Sequence, residues 1–266
     1  MTANTAREQR LVITYPSREP PRTCYLVEKS LEYKITNISP DNILVESLTL
    51  QFEPDTDSAS NYVDVDTTFR LEAGETTKVT AKVRPTPLFL ANTNQLQMRF
   101  KYRVTSAGRI GELTAETHKG FYLIVDTPAA DCGSVFISFK QPEDQRLANI
   151  LERYARRAGF VPHLFVRSPE IGADQWKTIE RMIRASHSVF ILWGRRTEWG
   201  EGVEREIELC RMHHVREVLL IEHRVDIPTA FGHTPITFKR FDRQEPAEDL
   251  SAAVVSLHDQ LKGSSR

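Results

Sequence analysis

The chain has 266 residues, 40% hydrophobic and 27% charged, and its 35 lysines and arginines against 36 acids leave a net charge of −1. This balance, with a mean hydropathy of −0.40, excludes a strongly basic nucleic-acid binder and an acidic disordered chain. No stretch approaches the ~20 apolar residues of a membrane helix, and the opening residues MTANTAREQRLVITYPSREPP lack the apolar core of a secretory signal.

Up to about residue 126 the apolar residues alternate with polar ones. CYLVEKSLEYKITNIS, NILVESLTLQFEP, TTKVTAKVRP, LQMRFKYRVTS and HKGFYLIVD are all rich in Val, Ile, Thr, Tyr and Phe, and each predicts a strand. Turn residues separate them at Ser39-Pro40-Asp41-Asn42, Glu53-Pro54-Asp55, Ala73-Gly74-Glu75 and Ala107-Gly108-Arg109. Short strands at this spacing predict an all-β sandwich over residues 1–128. The pair Leu31-Glu32-Tyr33-Lys34-Ile35-Thr36-Asn37 and Leu71-Glu72-Ala73-Gly74-Glu75 resembles bacterial immunoglobulin-like modules.

The texture changes across DTPAADCGS, residues 126–134. Val135–Phe139 is a short apolar run suited to a buried strand, and Leu147, Ile150, Leu151, Tyr154 and Ala158 then fall at helical spacing before Gly159, a natural stop. His163–Val166 predicts a strand, Trp176, Ile179, Met182 and Ile183 a helix, and Ser188–Leu192 a strand. Val203, Ile207 and Cys210 form the next stripe, followed by strands at Val218–Ile221 and Ile236–Phe238 and a last helix through Leu250, Ala253, Val254, Leu257 and Leu261. Such alternation predicts an α/β domain over residues 133–266, with a mainly parallel five-stranded sheet covered on both faces. Ligands then belong beyond the carboxyl ends of the strands.

Cys24, Cys132 and Cys210 are odd in number and contain no CxxC, which argues against a disulfide framework and against a zinc site. The expected setting is the cytoplasm, with no metal, resident cofactor, nucleic acid or membrane partner. Asn37-Ile38-Ser39 fits the glycosylation pattern but reads as chance without a signal peptide. Gly200-Glu201-Gly202 lacks the spacing of a dinucleotide fingerprint, His213-His214 point in different directions on a helix, and no nucleophile elbow is present.

The second half resembles a Toll/interleukin-1 receptor (TIR) domain of the bacterial kind, with flavodoxin-like topology. Val135-Phe136-Ile137-Ser138-Phe139 resembles the family's opening strand, with an acid after it at Glu143 or Asp144. FVRSPEIGADQW, residues 165–176, stands where the family has its second strand and the loop that follows. IERMIRASHSVFILW resembles its next helix and strand, and Gly202-Val203-Glu204-Arg205-Glu206-Ile207 resembles the helix that carries its catalytic glutamate. The chain departs from the family in having Gly194 where a serine is common and a loosened Trp199-Gly200-Glu201 ahead of the glutamate.

The resemblance implies an enzyme that cleaves NAD+, as substrate, at the nicotinamide–ribose bond. The products would be nicotinamide with ADP-ribose or a cyclic isomer, as in an NAD+ nucleosidase or ADP-ribosyl cyclase. Glu206 takes the catalytic role in that reading, and Glu204, on another helical face, is its decoy. A single carboxylate suffices because the leaving group departs as a neutral base, while an oxocarbenium ion develops on the ribose. Substrate-binding positions implied are Ser138, Phe139 and Lys140 around the first strand's end, Trp176 after the second, and Trp193, Arg195 and Trp199 after the third. The spacing of Trp176 with Ile179 and Ile183 fits a core position better, and Arg195-Arg196 equally fit a solvated loop. The resemblance further implies self-association of TIR domains and a role in bacterial antiphage immunity, with the sandwich meeting an unknown protein or small-molecule trigger. The competing expectations are a non-enzymatic adaptor built on TIR–TIR contacts, and a module that only binds a nucleotide signal.

Overall fold

The computed structural model describes residues 11–14, 19–52, 61–65, 67–104, 109–115, 122–165, 173–195, 201–226 and 237–264. They form two compact units whose main boundary lies between Asp126 and Thr127.

The first unit is all strand. A three-stranded antiparallel sheet runs β1 (Leu11–Thr14), β3 (Lys29–Asn37), β7 (Thr76–Val83). A seven-stranded sheet runs β2 (Arg22–Cys24), β10 (Tyr122–Asp126), β8 (Asn92–Val104), β4 (Ile43–Phe52), β5 (Asn61–Val65), with β6 (Phe69–Leu71) on β4 and β9 (Arg109–Ala115) on β8. The period of two in the sequence becomes one buried face per sheet: Leu31, Tyr33 and Ile35 on β3, and Val79, Ala81 and Val83 on β7. In β4 the alternation skips a residue between Val45 and Leu48, because a bulge at Val45/Ser47 resets the register against β8.

The two segments that resemble immunoglobulin-like modules meet at one corner. The Asn37 amide donates to Glu75 O at 2.9 Å, and the Gly74 amide donates to Asn37 O at 2.9 Å. Gly74 has φ +77, which a side chain would resist. The Asn37 side chain is fully buried, donating from Nδ2 to the carbonyls of Asp41, Leu71 and Glu72 and accepting from the Ser39 amide and hydroxyl. In the folded chain it is a corner pin that no glycan could reach.

The second unit is a five-stranded, all-parallel sheet in the order β12 (Val161–Leu164), β11 (Ser134–Ser138), β13 (Ser188–Trp193), β14 (Arg216–Glu222), β15 (Thr237–Phe241). Helices α1 (Gln145–Arg157), α2 (Ala173–Arg184), α3 (Glu201–Met212) and α4 (Ala247–Ser264) cover it. The chain steps from β11 outward to β12, then back across to β13. Right-handed crossovers therefore put α1 on one face and α2 and α3 on the other, and α4 packs beside α1. Helix α1 buries Leu147, Ile150, Leu151 and Tyr154 and ends in a left-handed Gly159 (φ +85), where the Phe160 amide donates back to Ala155 O at 3.0 Å. The α2/α3 face packs Ile179, Ile183, Val203, Ile207 and Cys210 on Phe136, Val189, Ile191, Trp193, Leu219 and Ile221. The reversal between β11 and β13 is the topological switch point of the sheet.

Candidate active site

Ser138 ends β11 two residues after Phe136, so it shares the α2/α3 face of the sheet. In α3, Val203 and Ile207 are buried against that face, and Glu206 lies at the edge of their stripe with only 4% exposure. The Ser138 hydroxyl donates a short hydrogen bond to Glu206 Oε2. A carboxylate this buried is costly unless it is hydrogen-bonded, and the serine at the end of the inner strand β11 helps meet that need. Glu204 is less buried, and Glu208 is exposed.

The other residues singled out in the sequence divide between this pair and a second cluster. Phe139 is buried at 6% exposure, and Lys140 is half-buried, its carbonyl accepting from the Asp144 amide at 2.9 Å. Trp193, at 4% exposure, belongs to the core under α2 and α3. Trp176, in the first turn of α2, is half-buried on the same core, and the Arg205 guanidinium carbon stands 4.4 Å over its ring. The core position anticipated for Trp176 is thus accompanied by a cation on its ring face. Gln141 Nε2 donates to Phe165 O at 2.9 Å, tying the loop after β11 to the end of β12. Trp199, Arg196 and positions 166–172 of the loop after β12 lie outside the described residues.

Arg195 does not join Glu206. Its amide donates to Glu222 Oε2 at 3.0 Å, and Glu222, the last residue of β14, follows Ile221 and so points to the opposite, α1/α4, face. There Arg243 sits between two acids, with Nε donating to Glu222 Oε2 at 2.9 Å and Nη2 to Asp144 Oδ1 at 2.5 Å. Asp144, at the N-cap of α1, is 1% exposed, whereas Glu143 is exposed. The acid after the first strand that is built into the structure is therefore Asp144. Burial pushes the Glu222 carboxyl up, but the Arg195 amide and the Arg243 guanidinium more than reverse this and hold it below its ordinary value. Burial works against the Arg243 charge, yet Asp144 and Glu222 hold its pKa above the usual arginine value.

Gly194 explains how the cluster closes. A Cβ there would collide with the Arg243 guanidinium and stand 2.8 Å from Glu222 Oε2. A side chain at this point would make the ends of Arg243 and Glu222 shift. A cleft of about 520 Å³ opens on this side, lined by Arg195, Glu222, His223, Arg224, Asp242, Arg243 and Gln244. Sequence reasoning did not single out Glu222, Arg224 or Arg243. The one signal for them was their place at the carboxyl ends of β14 and β15, where such sheets put their ligands.

His213 Nε2 meets Glu180 Oε1 at 2.9 Å, joining α3 to α2, and His214 takes a left-handed φ of 54° after the helix. No group of three or more His, Cys, Asp or Glu among the described residues is arranged to hold a metal ion. No helix among them is long and apolar enough to cross a membrane.

No family model matches the chain. No curated protein matches it. Similar solved structures include the ASH/PapD-like domain 7 of human CEP192, 12% identical over 44% of this chain and 84% of that one, with a TM-score of 0.27. The putative ApaA protein from Bordetella pertussis is 20% identical over 43% of this chain and 89% of its own, with a TM-score of 0.28. The sporulation control protein Spo0M of Bacillus subtilis is 9% identical over 45% of this chain and 49% of its own, with a TM-score of 0.27.

Proposed function

We propose that the second unit is a TIR-like catalytic domain that cleaves NAD+ at the nicotinamide–ribose bond, with Glu206 as its catalytic carboxylate. One observation carries the reading: a buried glutamate on α3, oriented by the Ser138 hydroxyl at the carboxyl end of the inner strand β11 beside the switch point. In the reaction the C1′–N bond breaks and its electron pair leaves with nicotinamide as a neutral base. Positive charge develops on the ribose, and a fixed carboxylate beside it stabilises that charge without having to reorganise. Water then adds at C1′ and gives up a proton, yielding ADP-ribose; attack by a group of the same molecule instead gives a cyclic isomer. Ser138 is a positioning residue that holds Glu206 in one rotamer.

In this proposal the first unit is an immunoglobulin-like sandwich that meets a trigger or partner, and activity follows self-association of the second, as in bacterial antiphage effectors of the cytoplasm. The test is NAD+ consumption by wild type and Glu206→Ala, each free and artificially clustered, with products separated by chromatography. Nicotinamide release by wild type alone is the expected result. Equal turnover in Glu206→Ala would overturn the assignment. The 4% exposure of Glu206 favours one other reading, a non-enzymatic adaptor in which Glu206 serves only as the acceptor for Ser138. That reading requires no turnover in any state together with intact self-association.

A further inference from the structure

We propose that the cleft on the Arg243 side is a second ligand site, for a small phosphate-bearing molecule, distinct from the site of Glu206. It stands at the carboxyl ends of β13, β14 and β15, the end of the sheet where such folds bind ligands, but on the α1/α4 face. Its volume of about 520 Å³ lies within the ~300–1,000 Å³ of small-molecule sites and is too confined for a folded partner.

Three guanidiniums line it, one from beyond each of three neighbouring strands. Arg243 is fixed by Asp144 and Glu222, which engage Nε and Nη2; Nη1 has only a 3.5 Å contact with the Glu143 carbonyl. Arg195 has its amide on Glu222, but its guanidinium is exposed and makes long contacts, 3.4 Å to His223 O and 3.8 Å to Glu222 Oε1. Arg224 is exposed and makes no hydrogen bond or ion pair among the described residues. Asp242, the other acid of the lining, accepts the Gln244 amide at 2.8 Å. The carboxylates thus orient Arg243 and brace the backbone, while Arg195 and Arg224 keep donors toward the opening. A planar carboxylate is satisfied by one guanidinium fork. The two open forks of Arg195 and Arg224, with the remaining Nη1 of Arg243, suit a group with several terminal oxygens.

Arg224 carries the second observation. Its φ is +66, a left-handed conformation that glycine takes freely and an arginine resists. A large cationic side chain kept at a strained position, at the mouth of a cleft, is where backbone strain accompanies function.

The experiment titrates the full chain with inorganic pyrophosphate, and separately with ADP, by isothermal calorimetry at about 50 and 300 mM salt. Expected is saturable one-to-one binding that weakens with salt and falls by about 10-fold or more in Arg224→Gly. Glycine removes the guanidinium and relaxes the backbone, so this variant should melt no lower than wild type and its loss cannot be misfolding. Glu206→Gln should bind the probe as wild type does, whatever becomes of NAD+ cleavage. Three results would overturn the proposal: no saturable binding, equal affinity in Arg224→Gly, or binding lost in Glu206→Gln but kept in Arg224→Gly. Preference for a polyglutamate peptide over pyrophosphate would also refute it, by assigning the cleft to an acidic protein segment.

Discussion

Arg243→Ala should destabilise the second unit by about 3 kcal/mol at neutral pH. Removing one partner of a buried ion pair costs about 3–5 kcal/mol, chiefly because the other charge is left buried and unpaired. Here two carboxylates, with side chains 2% and 9% exposed, lose their guanidinium, but Glu222 keeps the Arg195 amide and the departing guanidinium is itself 30% exposed, so water can fill part of its place. That puts the cost at the low end, roughly 3 kcal/mol, or a fall in Tm of about 6–12 °C. Urea unfolding followed by tryptophan fluorescence reports this unit selectively, because all three tryptophans, at 176, 193 and 199, fall after residue 126. The pH dependence supplies the stricter check. The folded chain holds the Glu222 carboxyl below its ordinary value. The resulting stability is fully present above the unfolded pKa, about 4.3, and is lost as pH falls through the folded value. Without Arg243 part of what holds that carboxyl down is gone, and it takes up a proton more readily. The deficit of the variant is therefore greatest near pH 7 and shrinks as pH falls below about 5. Adding Asp144→Asn and Glu222→Gln to an Arg243→Met background removes these three charges and should recover about half of the loss. A loss below about 1 kcal/mol at pH 7, or one that is constant between about pH 7 and pH 4.5, would refute the reasoning.

Three other perturbations test separate parts of the structure. Ser138→Ala should lower kcat for NAD+ by about 10-fold with little change in KM, since it unpins Glu206 without touching the ribose; steady-state kinetics would show the split. Gly194→Ser should cost about 1 kcal/mol in the same urea assay, because its Cβ makes the ends of Arg243 and Glu222 shift out of their ion pair. Cys132 has its thiol pushed up to about 11 by burial and by its contact with Asp131, and burial and nearby acids raise Cys210 as well. Mass spectrometry after iodoacetamide treatment of the native chain at about pH 8 should find both unmodified, and labelled once urea is added.

Local patterns in the sequence were enough to anticipate the elements of the second unit and the face that carries Glu206. Val203, Ile207 and Cys210 mark a buried stripe by their spacing alone, and Ser138 belongs to an apolar run suited to a buried strand. The Arg243 cluster was not legible in that way. Asp144 and Arg243 are 99 residues apart, and Glu222 and Arg243 are 21 apart; charged pairs have no period, and only the strand order brings their ends together. Arg195 shows the same limit. A run reading Trp193-Gly194-Arg195 gives no sign that the chain crosses from one face of the sheet to the other at the glycine, so an arginine expected beside the substrate instead braces Glu222. In the first unit the reverse holds. The recurrence of Leu31–Asn37 and Leu71–Glu75 was visible, but its cause, a buried asparagine joining the two, needed the fold.

The place of β11 inside the sheet has a consequence for synthesis. The first strand of the second unit to be made is an inner one, and its partner β13 begins 50 residues after Ser138. At ~5–20 residues per second the ribosome needs ~3–10 s to supply it. During that interval α1 and β12 are available to cover one face and one edge of β11, but its other edge is open and Phe136, on the α2/α3 face, has nothing to cover it. A nascent chain paused between β12 and β13 is thus the species of this protein most exposed to aggregation and to chaperones, and slowing translation there should lower soluble yield more than slowing it after Trp193.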